Sequence, residues 1–124
     1  MATCDWVIIS DYVIESKDDK LSLLGIFDII RSPTVPVLYA QLAVSTRFSG
    51  NPNETIVATV ELVSTTTSKT VVSAKGSTTL GNLGFGFVAC PFFGTRFVDY
   101  GVYAVNIVVN GRILKTASLV LTQP

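Results

Sequence analysis

The 124-residue chain carries nine basic and nine acidic side chains and no histidine; 48% of its residues are hydrophobic and only 15% charged. That content builds one domain with a substantial core and excludes intrinsic disorder. Zero net charge removes the electrostatic case for nucleic acid or an anionic membrane, which needs clustered Lys and Arg. Without histidine, Ser-His-Asp and Cys-His catalysis are out of reach, and most zinc sites with them.

The N-terminus, Met1-Ala2-Thr3-Cys4-Asp5-Trp6, sets an acid where a secretory signal needs basic residues and then about 7–15 apolar ones. No apolar run approaches the roughly 18 residues of a membrane-spanning helix. The expectation is a cytoplasmic protein without membrane insertion. Cys4 and Cys90 read as two buried thiols, with a disulfide open if their strands are neighbours.

The 17 Val, 9 Ile and 14 Thr make about a third of the chain β-branched, the composition of a β protein. The first predicted strand, Cys4–Glu15, ends at the charged turn Ser16-Lys17-Asp18-Asp19-Lys20. Leu21–Ile30 follows, apolar at nearly every position, which predicts a strand covered on both faces. Pro33 and Pro36 end it. From Val37 to Phe48 the even positions Leu38, Ala40, Leu42, Val44, Thr46 and Phe48 predict one packed face. Ile56–Val63 repeats the alternation, and Thr70–Ala74 follows a polar turn.

After a polar connection over Lys75–Asn82, Leu83–Cys90 sets Leu83, Phe85, Phe87 and Ala89 on one face, with Phe85 and Phe87 expected to face the core. Pro91 is expected to close that strand. Val102–Val109 leads into Asn110-Gly111, the dipeptide that suits a type I′ hairpin because both central residues need positive φ. Arg112–Thr122 closes the chain with Ile113, Ala117, Leu119 and Leu121 on one face. No segment has a helical period. Seven to eight strands without crossover helices predict a single all-β domain over residues 1–124, an immunoglobulin-like antiparallel β-sandwich. Asp99-Tyr100-Gly101-Val102-Tyr103 supports this, because a tyrosine entering a late strand can bury its ring and return its hydroxyl to the backbone at the corner.

The segment Lys20-Leu21-Ser22-Leu23-Leu24-Gly25-Ile26-Phe27-Asp28-Ile29-Ile30 carries a resemblance. With Cys4 and Ser10-Asp11-Tyr12-Val13 before it and Pro36 after it, it resembles a family of small bacterial proteins of unknown function, whose N-terminal half reads Lys-Leu-Ser-Leu-x-Gly-Ile-Phe-Asp-x-Ile. The match is specific over residues 4–36 and loose beyond. The resemblance implies a β-sandwich and brings no activity, cofactor or catalytic residue.

Chemistry-bearing constellations are few. Asp11 and Asp28 lie in apolar strands, where a carboxylate is expensive unless paired or hydrogen-bonded. A hydrolase would use them as an acid pair; a structural role for each is the simpler reading. Asp18 and Asp19 sit between lysines, a solvated turn rather than a calcium site. Gly81-Asn82-Leu83-Gly84-Phe85-Gly86 lacks the following helix that a phosphate loop needs. No cofactor or metal is expected.

The aromatic segment Phe92-Phe93-Gly94-Thr95-Arg96-Phe97 is more informative. Adjacent strand residues point to opposite faces, so one of Phe92 and Phe93 is exposed or covered by a partner. The expected protein interface is Phe92, Phe93, Arg96 and Phe97. With so little charge to guard sheet edges, the reading is a non-enzymatic interaction module that associates with itself. The alternative is a ligand- or carbohydrate-binding module stacking on Trp6, Tyr12, Tyr39 or Tyr100.

Overall fold

The computed structural model describes residues 2–18 and 20–124. Among them are nine strands and no helix, so none that could cross a membrane: β1 (Thr3–Glu15), β2 (Leu21–Ile26), β3 (Ile29–Arg31), β4 (Val37–Ser49), β5 (Thr55–Ser64), β6 (Thr70–Thr79), β7 (Phe85–Phe97), β8 (Gly101–Val109) and β9 (Arg112–Thr122). They form a four-stranded sheet in the order β2-β1-β4-β7 and a five-stranded sheet in the order β3-β9-β8-β5-β6. All neighbours are antiparallel except β3 and β9, which run parallel.

The count exceeds the expected seven to eight because Leu21–Ile30 is two strands. Phe27 N–H donates to the Ile9 carbonyl in the first sheet, while the Asp28 carbonyl accepts from Val120 N–H in the second. The chain therefore changes sheets at Phe27–Asp28. Nor is this segment covered on both faces, since Leu24, Ile26 and Ile29 are exposed.

One hydrophobic cluster joins the sheets. Leu42, Val44 and Phe48 of β4 and Val88, Cys90 and Phe92 of β7 meet Ile56, Val60, Tyr103, Val105, Ile107, Leu119 and Leu121 of the other layer. In β4 the even positions face this core only from Leu42 onward; Leu38 and Ala40 are exposed, and Val37 and Tyr39 pack inward instead. In β7 the parity also changes, from Val88, Cys90 and Phe92 to Phe97. The reversal falls where Ala40 lies opposite Gly94, whose φ of 64° only glycine adopts cheaply.

Four further expectations are corrected. Strand β7 continues through Pro91, because it is an edge strand and a missing N–H on its free side removes no ladder bond. Its odd residues are a common face, but the outer one: Phe85 is exposed, and half-buried Phe87 stands against Trp6, ring centroids 5.9 Å apart. In β9 a register shift at Ile107/Val108 turns Ile113 outward and packs Leu114. The polar stretch from Lys75 extends β6 to Thr79.

The turn chemistry behaves as its residues require. Asn110 and Gly111 both have positive φ, 51° and 75°. The buried Tyr103 donates its hydroxyl to the Asp99 carbonyl at 2.5 Å, closing the corner before β8.

Candidate functional site

The structure divides the expected interface. Phe93 is 71% exposed and Arg96 is exposed, but Phe92 is buried and Phe97 is 0% exposed, edge-to-face on Tyr103 with centroids 5.1 Å apart. Phe92 and Phe97 are core residues; the parity change at Gly94 turns both inward. Of the four, Phe93 and Arg96 remain outside, with exposed Leu38 opposite Arg96.

The two carboxylates have different surroundings. Asp11 accepts the Tyr39 hydroxyl at 2.6 Å, and Tyr39, pushed up to about 12 by burial and then by that carboxylate, stays a donor. Asp28 is exposed, outside any strand, at the sheet change. The cavity it borders, of about 390 Å³, is walled by β1 residues, Ile26, Phe27, Ala117 and Ser118, with no second carboxylate among its lining residues. Of the charged turn, Asp18 pairs with Lys20 at 3.4 Å; its pKa is lowered by the Ser16 hydroxyl, its own backbone and Lys20. Asp19 lies outside the described residues. Among those described, no three Asp, Glu or Cys side chains gather to hold a metal ion.

Cys4 and Cys90 are both free and buried. They sit on strands separated by β4, so the open disulfide is ruled out. Burial pushes the Cys4 thiol up to about 11, and burial with the Glu15 carboxylate raises Cys90. A folded pKa above the ordinary 9.0 stabilises the fold while the thiol stays protonated. That contribution is complete below pH 9 and is lost as pH rises toward 11, because the unfolded chain releases its proton first. Raising pH from 9 to 11 is expected to lower stability through Cys4 by at most about 2 kcal/mol at ~1.4 kcal/mol per unit, less what solvent screening removes, read as a falling urea midpoint. The loss should be smaller in Cys4→Ala.

Hairpin β1–β2 has the most unusual geometry. β1 pairs with β4 only from Thr3 to Ser10, and its second half pairs with β2 alone. At the departure point the Ser10 hydroxyl donates to the Tyr12 carbonyl, and opposite Asp11 stands Gly25 with φ 70°. A Cβ on Gly25 would lie 2.4 Å from Asp11 Oδ2. Beyond this bend the hairpin folds over the outer face of its own sheet. β1 reaches β7 although β4 lies between them in the sheet. Ala43 and Ser45 on the outer face of β4 are 0% exposed. Small residues at Ala43, Ser45 and Ala89 give the hairpin room to lie down.

A groove of about 700 Å³ runs between the hairpin tip (Glu15, Ser16, Lys20, Leu21), the outer-face residues Arg47, Phe85 and Phe87, and the connection Gly81–Leu83. Arg47 is committed there. It pairs with Asp5, which also accepts the Ser49 hydroxyl, and its guanidinium lies 4.1 Å over the Phe85 ring. The hairpin's two faces differ. Val13, Leu21 and Leu23 are half-buried toward the sheet, whereas Tyr12, Ile14, Leu24 and Ile26 form an exposed apolar row. Tyr12 and Leu24 are direct cross-strand neighbours.

Strand β2 is also an unguarded edge. The other three edges carry protection: β3 has only three residues and contains Arg31, β6 carries Lys75 among Ser and Thr, and β7 carries Pro91 and Arg96. β2, Leu-Ser-Leu-Leu-Gly-Ile, has neither charge nor proline. Such an edge is a template for another strand.

Residues 5–122 match a family described as being of unknown function, DUF6941. The chain belongs to the DUF6941 family. No curated protein matches it in sequence. Among solved structures, this DUF6941 chain is similar to part of the alkylpurine DNA glycosylase AlkC of Pseudomonas fluorescens, bound to DNA containing an abasic site analog. The TM-score is 0.52 at 16% identity, over 94% of this chain and 30% of that one. It is also similar to part of a beta-glucosidase from Listeria innocua in complex with isofagomine, with TM-score 0.53 and 10% identity, over 94% of this chain and 16% of that one. The chain thus spans less than a third of either protein. At these identities the likeness is one of fold alone.

Sequence reading missed the hairpin row and the β2 edge. The available signal is the uncharged run Leu21–Ile26 with Gly25 inside it, but its apolar content fits a doubly covered strand equally well.

Proposed function

We propose that the chain is a non-enzymatic protein-interaction module of immunoglobulin-like type that docks partners, copies of itself included, through hairpin β1–β2. The observation that carries this reading is the unprotected β2 edge beside the exposed row Tyr12, Ile14, Leu24 and Ile26. Added strands gain main-chain hydrogen bonds from such an edge and selectivity from the side chains beside it. The parallel β3–β9 pair and the Tyr103 corner support the immunoglobulin-like assignment. Two free thiols suit a reducing compartment, and we place the protein in the cytoplasm.

The test is the double change Leu24→Asp with Ile26→Asp. Both side chains are exposed, so the melting temperature should stay within a few degrees, while association measured by sedimentation velocity should be lost. Association that survives the double change would refute the reading.

The groove beside Arg47 favours a second reading, a small-ligand site floored by Phe85 and Phe87. Of the four rings expected to stack ligands, Tyr39 and Tyr100 donate their hydroxyls to Asp11 and to the Ser32 carbonyl, and Trp6 packs on Phe87. Only Tyr12 stands exposed, and it lies on the hairpin row. A glycan array without hits would set the carbohydrate form of this reading aside.

A further inference from the structure

We infer that the strand which completes the β2 edge is that of a second copy of this chain, paired antiparallel about a two-fold axis through Leu24. This rests on the docking reading above and names its partner. In that pairing Leu24 meets Leu24, Ser22 meets Ile26, and the two four-stranded sheets become one sheet of eight. The six residues of β2 carry no charge, so pairing the strand with itself sets no like charges against each other.

The flanking residues select the register. In sequence Lys20 and Asp28, both exposed, flank β2 four residues either side of Leu24, with Lys20 paired to Asp18 in its own exposed turn and Asp28 just past the end of β2, where the chain leaves the sheet. A two-fold through Leu24 therefore brings Lys20 of each copy to the Asp28 end of the other, at both ends of the interface. An axis through Leu23 would set Lys20 against Ile26 and forfeit both charge matches. The same axis places Leu24 next to its own copy with Tyr12 on the far side of each, joining two apolar rows into one. An isologous contact of this kind closes after two subunits and leaves β7 as the new sheet's only edge strand, at each end, with Pro91 and Arg96 to guard it. One six-residue edge and four partly exposed side chains make a small interface, the range of concentration-dependent association.

The experiment combines sedimentation velocity of the native chain over a dilution series with oxidative cross-linking of Leu24→Cys. Cys4 and Cys90 are buried with raised pKa, so a new exposed thiol at 24 is the reactive one. The expected result is a reversible dimer and a covalent dimer of Leu24→Cys. Ser22→Cys and Ile26→Cys should each stay unlinked alone and link when combined in one chain. A dimer in which Cys at 24 does not link would overturn this interface. A chain that stays monomeric, with freely exchanging β2 amides, would overturn self-pairing and leave the open-edge reading in place. A monomer whose β2 amides are protected would overturn both.

Discussion

Phe97→Ala is expected to cost about 3–5 kcal/mol of stability, and Phe93→Ala, four positions earlier, less than about 0.5 kcal/mol. Phe97 is fully buried, and its ring supports Tyr103, whose hydroxyl fastens the corner before β8. Truncation leaves a cavity that two pleated layers cannot collapse to fill. Phe93 stands in solvent on the outer face of β7. Urea midpoints at constant m-value read both changes. Equal costs would contradict the parity reversal at Gly94 that separates the two side chains.

Gly84→Ala is expected to cost more than Gly111→Ala although the two backbones are similar, with φ of 78° and 75°. At Gly111 a methyl group meets open space, so the change costs only the torsional strain, about 1 kcal/mol. At Gly84 the methyl would lie 2.3 Å from the Gly50 carbonyl oxygen. That contact is between backbones, and Gly50 N–H donates to the Gly84 carbonyl at 2.9 Å, so neither segment can retreat without breaking the bond that joins them. The expected loss is about 3 kcal/mol, at the upper end for a strained position. Thermal or urea unfolding of the two variants, measured side by side, gives the difference.

Local chemistry made parts of this fold legible in the sequence. Asn110-Gly111 needs positive φ at both positions and has it, and the alternation from Leu42 to Phe48 sets those residues on the core. What escaped depends on contacts between distant segments. Nothing within residues 37–48 announces that the inward face changes at Ala40, because Gly94 sits more than fifty residues later. The run Leu21–Ile30 has the composition of a covered strand, yet its burial is decided by hydrogen bonds to Ile9 and Val120 that pull its two halves into different sheets. Phe85 and Phe87 read as core residues because they are large and apolar, while the even positions beside them fill the interior with Val88 and Cys90.

The candidate site was less legible for the same reason. The sequence marked an aromatic cluster at Phe92–Phe97, and the fold spends two of its three rings on the core. The surface left over lies on the hairpin, where Tyr12, Ile14, Leu24 and Ile26 come together only once β1 and β2 have paired. Their exposure follows from the bend at Gly25, which turns Val13, Leu21 and Leu23 toward the sheet and leaves the opposite face uncovered.

Amide hydrogen exchange in dilute solution, comparing β2 with β5, tests the open hairpin edge most directly. Strand β5 is paired on both sides, with β6 and β8, and its amides between Thr59 and Leu62 are expected to exchange only on global opening. Strand β2 is paired on one side, so its outward amides are expected to exchange orders of magnitude faster and to slow as the protein is concentrated. Protection of every β2 amide to the level of β5 at the lowest concentration would contradict the account.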